Sequence, residues 1–544
     1  MLPPIGELLI KDRFITQKQL NHCVESKKIH PKDRLGSILK GHGFISDIDL
    51  ASVLSKQIGW RFFQGEYVPD FKIVEHIGLD FLSRHQVFPL KNGSKPSFVV
   101  SFVDDVETTD FLNGHFGNDK VNFYIGSEND IRNALDLIVQ EKNRQKLLSE
   151  IENFQLAGIE SLADWLNSIL SLAVITNSTD VHIEPTGKAI NIRFRIDGLL
   201  ETIGCLKQEY ISTIANILLT KCNGNPSDYR IQDGRFNHDF KGIVRTFDIR
   251  FNQIPTMHGP GIVLRLLDRS RGTRNIESLG YLEHNRKLIN QAIKIPNGII
   301  LITGPTGSGK TTTLSAIINE LKSIDKKICT VEDPIECTHT LVSQVEVDQD
   351  KNLSFRSALR AFLRQDPDVI LIGEIRDQET SEEAFLAAQT GVQIFSTLHT
   401  KDPISGIIRL KDLGVPAVNI AMGLTAIVSQ RLVRKLCPFC KNTQVAIRQQ
   451  LEPNEAKYLI HEEQVIYKAV GCKDCRYTGY LGRTVVAEVL LIDPEIRELV
   501  GKNALGEIYA LLRQRGTYQT MVDDMKSLIL KFETSMEEAV RVLG

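Results

Sequence analysis

Eight consecutive residues, Gly304-Pro305-Thr306-Gly307-Ser308-Gly309-Lys310-Thr311, with Thr312 behind them, follow the pattern G-x-x-x-x-G-K-[ST]. The chemistry this spacing allows is phosphate binding. Glycines let the backbone wrap a phosphate with its N–H groups, and a following helix adds the positive end of its dipole. Lys310 can reach the β- and γ-phosphates of ATP, and the Thr311 hydroxyl can ligate Mg²⁺. A second kind of chemistry is written in cysteines. Cys437-Pro438-Phe439-Cys440 and Cys472-Lys473-Asp474-Cys475 are two C-x-x-C pairs. That spacing suits a closed, structural tetrahedral zinc site with four thiolate ligands. The other five cysteines, Cys23, Cys205, Cys222, Cys329 and Cys337, are scattered and read as small hydrophobes.

Hydrolysis needs more than a phosphate cradle. It needs a carboxylate beside the metal and a group that orients water. Val369-Ile370-Leu371-Ile372-Gly373-Glu374 is an apolar run ending in Gly-Glu, and resembles a Walker B element with Glu374 at the strand's end. Taken alone, it also fits a buried strand capped by a surface glutamate. Thr330-Val331-Glu332-Asp333-Pro334-Ile335-Glu336 is a second strand end, stopped by Pro334 so that its carboxylates sit past the strand.

These segments, with Arg364-Gln365-Asp366-Pro367-Asp368 and Ser396-Thr397-Leu398-His399-Thr400, resemble the Asp box, Walker B and His box of the secretion ATPase superfamily. These are the ring-shaped motors of type II secretion and type IV pili. The match runs from about residue 160 to the C-terminus. The resemblance implies a RecA-like core preceded by an α+β, PAS-like domain. It implies Glu332 as the group that activates water and His399 as a residue that senses or shapes the site. It also implies Arg250 and Arg265, on the last strands of the preceding domain, as cations reaching the nucleotide. Arg360, Arg364 and Arg376 match arginines near the subunit boundary. Departures are visible: Val392 follows Thr390-Gly391 where a second histidine is common, and His258-Gly259-Pro260-Gly261 replaces the usual Gly-Glu-Lys. Four-cysteine insertions mark the extension and secretion motors of this family, and retraction motors lack them.

The elements that must position these groups are legible by period. Ile299-Ile300-Leu301-Ile302 is a short apolar run suited to a central parallel strand, and Ile328–Val331, Val369–Ile372 and Val392–Phe395 are further ones. Alternation of such strands with helices predicts a doubly wound α/β core from about 276 to 544, with the zinc-binding insertion at about 435–482. Zinc would fold an excursion that otherwise lacks much core. Residues 161–275 read as the α+β domain. Leu162 to Ile175 is an amphipathic helix, Asn191–Ile196 alternates strictly, and Asp197-Gly198 is a hairpin turn. More strand is predicted at Val244–Phe251 and Ile262–Leu267. Asp180, His182 and Glu184 share one strand face, read as a structural polar face lacking a fourth metal ligand.

The first 137 residues predict a regulatory or docking domain, joined by a charged helical connector at 138–160. Its start is a degenerate repeat of helix, turn and helix. Thr16 with Gln19, and Ser46 with Asp49, form capping boxes. The Arg34-to-Gln57 stretch resembles a cyclic di-GMP-binding motif of some of these motors, with Arg34, Gly43, Leu50, Leu54 and Gln57 in register. The first copy has Pro4, Arg13 and Lys27 instead of the Arg, Gly and Gln, and Lys40 replaces an aliphatic residue. Docking to a membrane-bound platform is the other reading.

Net charge −2 over 544 residues weighs against a nucleic-acid partner and so against a DNA-export motor. Met1 to Ile10 has Glu7 within its apolar stretch and no cleavage pattern, and no run of about 18 apolar residues occurs. The expectation is a cytoplasmic protein held at the inner membrane through partners. The resemblance implies a hexamer that drives an inner-membrane platform protein, with a cytoplasmic docking protein, in pilus assembly or type II secretion. A nucleotide-gated scaffold that binds ATP without turnover is the rival from another class.

Overall fold

The computed structural model describes residues 4–29, 31, 33–65, 67–92, 95–101, 106–116, 121–132, 134–135, 138, 162–225, 230–239, 246–267, 275–348 and 351–544. The expected connector at 138–160 lies, apart from Ile138, outside the described residues. The chain divides into two units, Met1–Leu267 and Asp268–Gly544.

The first unit opens with helices Ile5–Lys11, Gln17–Ile29, Leu35–Gly41 and Asp47–Ile58. They are two copies of one helical pair. Leu9, Ile15 and Cys23 of the first copy and Leu39, Ile45 and Val53 of the second share one small core. Both capping boxes form: Thr16 N–H donates to Gln19 Oε1 at 2.8 Å and Ser46 N–H to Asp49 Oδ2 at 3.1 Å. The tight turn between helices needs a left-handed residue, supplied by Gly43 (φ 71°) in one copy and by Arg13 (φ 62°) in the other. A small sheet follows, with β1 (Arg61–Phe62), β2 (Val87–Leu90), β3 (Ser97–Val100) and β4 (Asn122–Ile125) in the order β1-β4-β3-β2. Lys40 is not a misfit in its helix. Its ammonium pairs with Asp47 at 2.7 Å and with Glu128 at 2.5 Å, tying the repeat to the segment after β4.

The same unit carries a six-stranded antiparallel sheet of β5 (Asp180–Pro185), β6 (Ala189–Ile196), β7 (Leu199–Lys207), β8 (Gln232–Asp239), β9 (Thr246–Thr256) and β10 (Gly259–Leu267). Its order is β7-β6-β5-β10-β9-β8. Ile190, Ile192, Phe194 and Ile196 of β6 all point into a core shared with helices Leu162–Ile175 and Ile211–Lys221. The turn from β6 to β7 has positive φ at both Asp197 (48°) and Gly198 (87°), matching the twist of the flanking strands.

The second unit is built on seven strands: β11 (Gly298–Thr303), β12 (Ile328–Glu332), β13 (Val342–Glu346), β14 (Val369–Ile372), β15 (Gln393–Leu398), β16 (Leu424–Leu436) and β19 (Tyr480–Leu491). The order is β13-β12-β14-β15-β11-β16-β19, parallel except for β19 against β16. Successive residues of β11 feed two cores. Ile299 and Leu301 pack on one face of the sheet, and Ile300 and Ile302 on the other. Both faces are therefore covered by helices, as all-apolar parallel strands require. Between β16 and β19 lies the hairpin of β17 (Asn442–Ile447) and β18 (Glu463–Lys468). This excursion has more core than its sequence suggests. Tyr458 is fully buried with Ala446, Ile466, Met525 and Ala539, and its hydroxyl donates to the Ala539 carbonyl at 3.1 Å. The helices that cover it come from the C-terminal end of the chain, so no local pattern announces them.

Candidate functional site

The glycine-rich turn joins β11 to the helix Lys310–Leu321. Gly304 (φ 147°) and Gly307 (φ 78°) hold backbone conformations open to glycine, and Gly309 (φ 87°) caps the helix. A methyl group on Gly304 would sit 2.5 Å from the Gln430 carbonyl oxygen. The N–H groups of Thr306, Gly307 and Gly309 have no acceptor among the described residues, and the buried Ser308 hydroxyl has no partner. Unspent donors on a concave loop at a helix N-terminus fit a phosphate chain. Lys310 Nζ rests on the loop's own Gly304 and Pro305 carbonyls, at 2.9 and 3.1 Å. Burial lowers its pKa and the nearby Glu374 carboxylate works against that.

Glu374 follows β14, and His399 follows β15, both at the sheet edge that carries the loop. His399 Nε2 lies 3.4 Å from Glu374 Oε1, while Arg376 Nε donates to Glu374 Oε2 at 2.9 Å. Burial, then the Lys310 charge, lowers the His399 pKa, with Glu374 opposing. Glu332 ends β12, next to β14. Its Oε1 accepts from Thr330 Oγ1 at 2.8 Å and from Gln344 Nε2 at 3.1 Å. Burial raises its pKa and these two donors oppose the rise. Lys310, Glu374, His399 and Glu332 thus lie along the C-terminal edges of parallel strands, where open α/β sheets bind ligands. Val392 does not. It precedes β15 at the opposite edge, about 20 Å away at the usual strand rise, where it is buried in the core. The missing histidine therefore leaves the phosphate edge of this unit intact.

Arg250 and Arg265 belong to the first unit, directly opposite each other on β9 and β10. Register extends the row on both sides: Arg265 faces Asp180 of β5, Asp180 faces Arg195 of β6, and Arg250 faces Arg235 of β8. Four arginines and one aspartate thus share a line across five strands. Asp180 accepts from Arg265 Nε at 3.0 Å and lies 3.8 Å from Arg195 Nε. Glu184 takes both ends of Arg193, each at 2.7 Å. The Asp180, His182 and Glu184 face is an ion-pair surface. Among the described residues, the metal-type cluster is the four cysteines alone.

The Sγ atoms of Cys437, Cys440, Cys472 and Cys475 all lie within 4.8 Å of one another. Cys437–Cys472, Cys440–Cys475 and Cys472–Cys475 are 3.8, 3.7 and 3.8 Å apart. A tetrahedron of thiolates around zinc at ~2.3 Å has edges of about 3.8 Å, so the four fit the ion. The backbone N–H groups of Gly471, Cys472 and Gly479 point at Cys440 and Cys475 sulfur at 3.1 to 3.3 Å, as thiolate ligands need. Arg360 Nε donates to Glu383 Oε1 within the chain at 2.6 Å.

Sequence patterns missed the brace under the loop. Gln430 of β16 donates to the Ser308 carbonyl at 2.8 Å and accepts from Tyr281 Oη at 2.5 Å and Thr313 Oγ1 at 3.1 Å. These partners are far apart in the chain, and no short motif links them.

Comparison with known proteins agrees with this geometry. Residues 155–541 match the family described as type II/IV secretion system protein, and residues 61–145 match the MshEN domain. The type II secretion system ATPase E of Vibrio cholerae is 39% identical over 378 residues, 69% of this chain and 74% of that one. The type IV pilus assembly ATPase PilB of Myxococcus xanthus is 33% identical over 530 residues, 91% of each chain. Among solved structures, the Legionella pneumophila ATPase DotB superposes with a TM-score of 0.51 at 23% identity, covering 69% of this chain and 94% of that one. That last likeness bears on the fold, which is RecA-like.

Proposed function

Because the chain belongs to the family of type II/IV secretion system proteins, we propose that it is a motor ATPase that powers type IV pilus assembly. It hydrolyses ATP, working as a hexamer in the cytoplasm against an inner-membrane platform protein. The carrying observation is the reach of the pilus relative's match, 91% of the chain, where the secretion ATPase stops at 69%. The higher identity of the secretion relative, 39%, keeps a type II secretion motor as the second reading.

Gly304 to Thr312 hold the triphosphate, with Lys310 on its β- and γ-phosphates. Thr311 and Glu374 would hold Mg²⁺, which would supply stabilisation of the charge on the β- and γ-phosphate oxygens. Glu332 takes the proton of the attacking water, and His399 keeps Glu374 in place. Arg250 and Arg265 bring positive charge to a nucleotide from the sheet of the first unit. Cys437, Cys440, Cys472 and Cys475 hold structural zinc. For the N-terminal repeat, docking to a platform or cytoplasmic docking protein is favoured over cyclic di-GMP, because Pro4 occupies the place of Arg34 in the first copy. Equilibrium binding of labelled cyclic di-GMP separates these two.

Deleting the gene and scoring surface pili beside secreted protein tests the main reading. Loss of pili with secretion intact is expected. Intact pili with secretion lost would put the type II motor in its place.

A further inference from the structure

Gln344 belongs to no motif, yet it has the most connected side chain beside Glu332. On β13 it lies opposite Thr330 of β12. Its amide donates to Glu332 Oε1 at 3.1 Å and to the Cys337 carbonyl at 2.9 Å, and accepts from the His339 N–H at 2.6 Å. The two backbone partners fix the amide's orientation, since a carbonyl requires its N–H and an N–H requires its oxygen. The end that meets Glu332 is therefore a donor. Thr330 Oγ1 bonds the same carboxylate oxygen at 2.8 Å, and Oε2 accepts nothing among the described residues. A carboxylate clamped at one oxygen has its other oxygen set in direction.

The clamp also reaches the phosphate loop. His339, which bonds Gln344 through its N–H, bonds Ser315 Oγ through its ring at 3.1 Å. Ser315 lies on the helix that Lys310 begins. We propose that Gln344 is a positioning residue for ATP hydrolysis, aiming the Glu332 carboxylate and tying it through His339 to the phosphate-loop helix. This rests on the reading of Glu332 as the group that activates water.

The charges around Glu332 make the donor matter. Burial opposes ionisation, and so do Glu336 in the following loop and Glu346 on β13. From the β14 side, a Cβ placed on Gly373 would lie 3.4 Å from Glu332 Cα, so the neighbour there is a glycine that brings no charge. Thr330 and Gln344 are the groups that favour the carboxylate. Removing one raises the pKa of the base, so the acid limb of turnover moves to higher pH and the rate recovers in alkali.

The test is kcat against pH for the full-length chain with ATP, beside equilibrium affinity for a fluorescent ATP analogue. Gln344→Met keeps the length and loses the donor. Thr330→Val removes the other donor at the same oxygen and serves as the second variant. The expected result is an acid limb shifted up by about one unit in each, with nucleotide affinity unchanged. A Gln344→Met rate equal to the parent at every pH, or reduced equally at every pH, overturns the proposal. Glu332→Gln separates the premise: if it turns over like the parent, Glu332 is not the base and both statements fall. If it is inactive while Gln344→Met matches the parent, the positioning role alone is lost.

Discussion

His399 and Glu374 come within 3.4 Å of each other although 25 positions separate them, because β15 and β14 are parallel neighbours and each residue lies past its strand's end. Arg376 holds the other oxygen of Glu374. Burial lowers the His399 pKa, and Lys310 and Arg376 lower it further. The imidazole is therefore neutral at neutral pH. A histidine with a depressed folded pKa keeps its stability above the ordinary value near 6.5 and loses it as pH falls through the folded value. His399→Asn is expected to cut kcat about 10-fold or more while changing ATP affinity less. Equal losses in both would assign His399 to binding.

Acid sensitivity has a second source in His339. Burial, then the Lys322 charge, pushes its pKa down to about 4. The unfolded chain then binds a proton that the folded chain refuses, so stability falls between about pH 6.5 and the folded value, by up to ~3 kcal/mol. His339→Gln is expected to flatten that part of the curve. Urea unfolding at several pH values, followed by the second unit's own transition, checks it; an unchanged acid slope contradicts it.

Gln430 satisfies three buried groups at once. Gln430→Leu leaves the Ser308 carbonyl without its side-chain donor and the Tyr281 and Thr313 hydroxyls with only each other, 2.9 Å apart. The expected cost is about 2–4 kcal/mol of stability, with weaker ATP-analogue binding. Thermal unfolding and titration with the analogue measure the two effects.

The cysteine cluster is expected to carry one zinc per chain, read by elemental analysis of the purified protein. Cys440→Ser or Cys472→Ser should lose the ion and expose the two cysteine turns, Cys437–Cys440 and Cys472–Cys475, to protease. Because Tyr458 and Ile466 pack on the C-terminal helices, the rest of the excursion should stay folded. Global unfolding on chelation would mean that the metal does more than the packing suggests.

The phosphate loop and the cysteine pairs were legible because their residues are contiguous or tightly spaced. The repeat of Leu9 with Leu39 and Ile15 with Ile45 was legible for the same reason. Strand ends gave Glu332 and Glu374, since an apolar run of four or five residues stopped by Pro or Gly is a local signal. Gln430, Tyr281 and Gln344 were not legible, because their meaning lies in partners brought together by sheet order. The arginine row needed register: Arg195 and Arg235 join Arg250 and Arg265 only when five strands are paired. β16 was missed because its apolar residues are interrupted by Ser429, Gln430, Arg431 and Arg434, which serve the loop and the neighbouring layer. Val392 looked like a defect in the site, and strand direction places it at the far edge.

ATP turnover is expected at the sheet edge shared by Lys310 and Glu374. Steady-state hydrolysis by the purified chain, beside Lys310→Ala and Glu374→Gln, measures this turnover. Turnover is expected in the parent and a loss of about 10²-fold or more in each variant, with Glu374→Gln still binding the ATP analogue. Parent-level hydrolysis in either variant would contradict it.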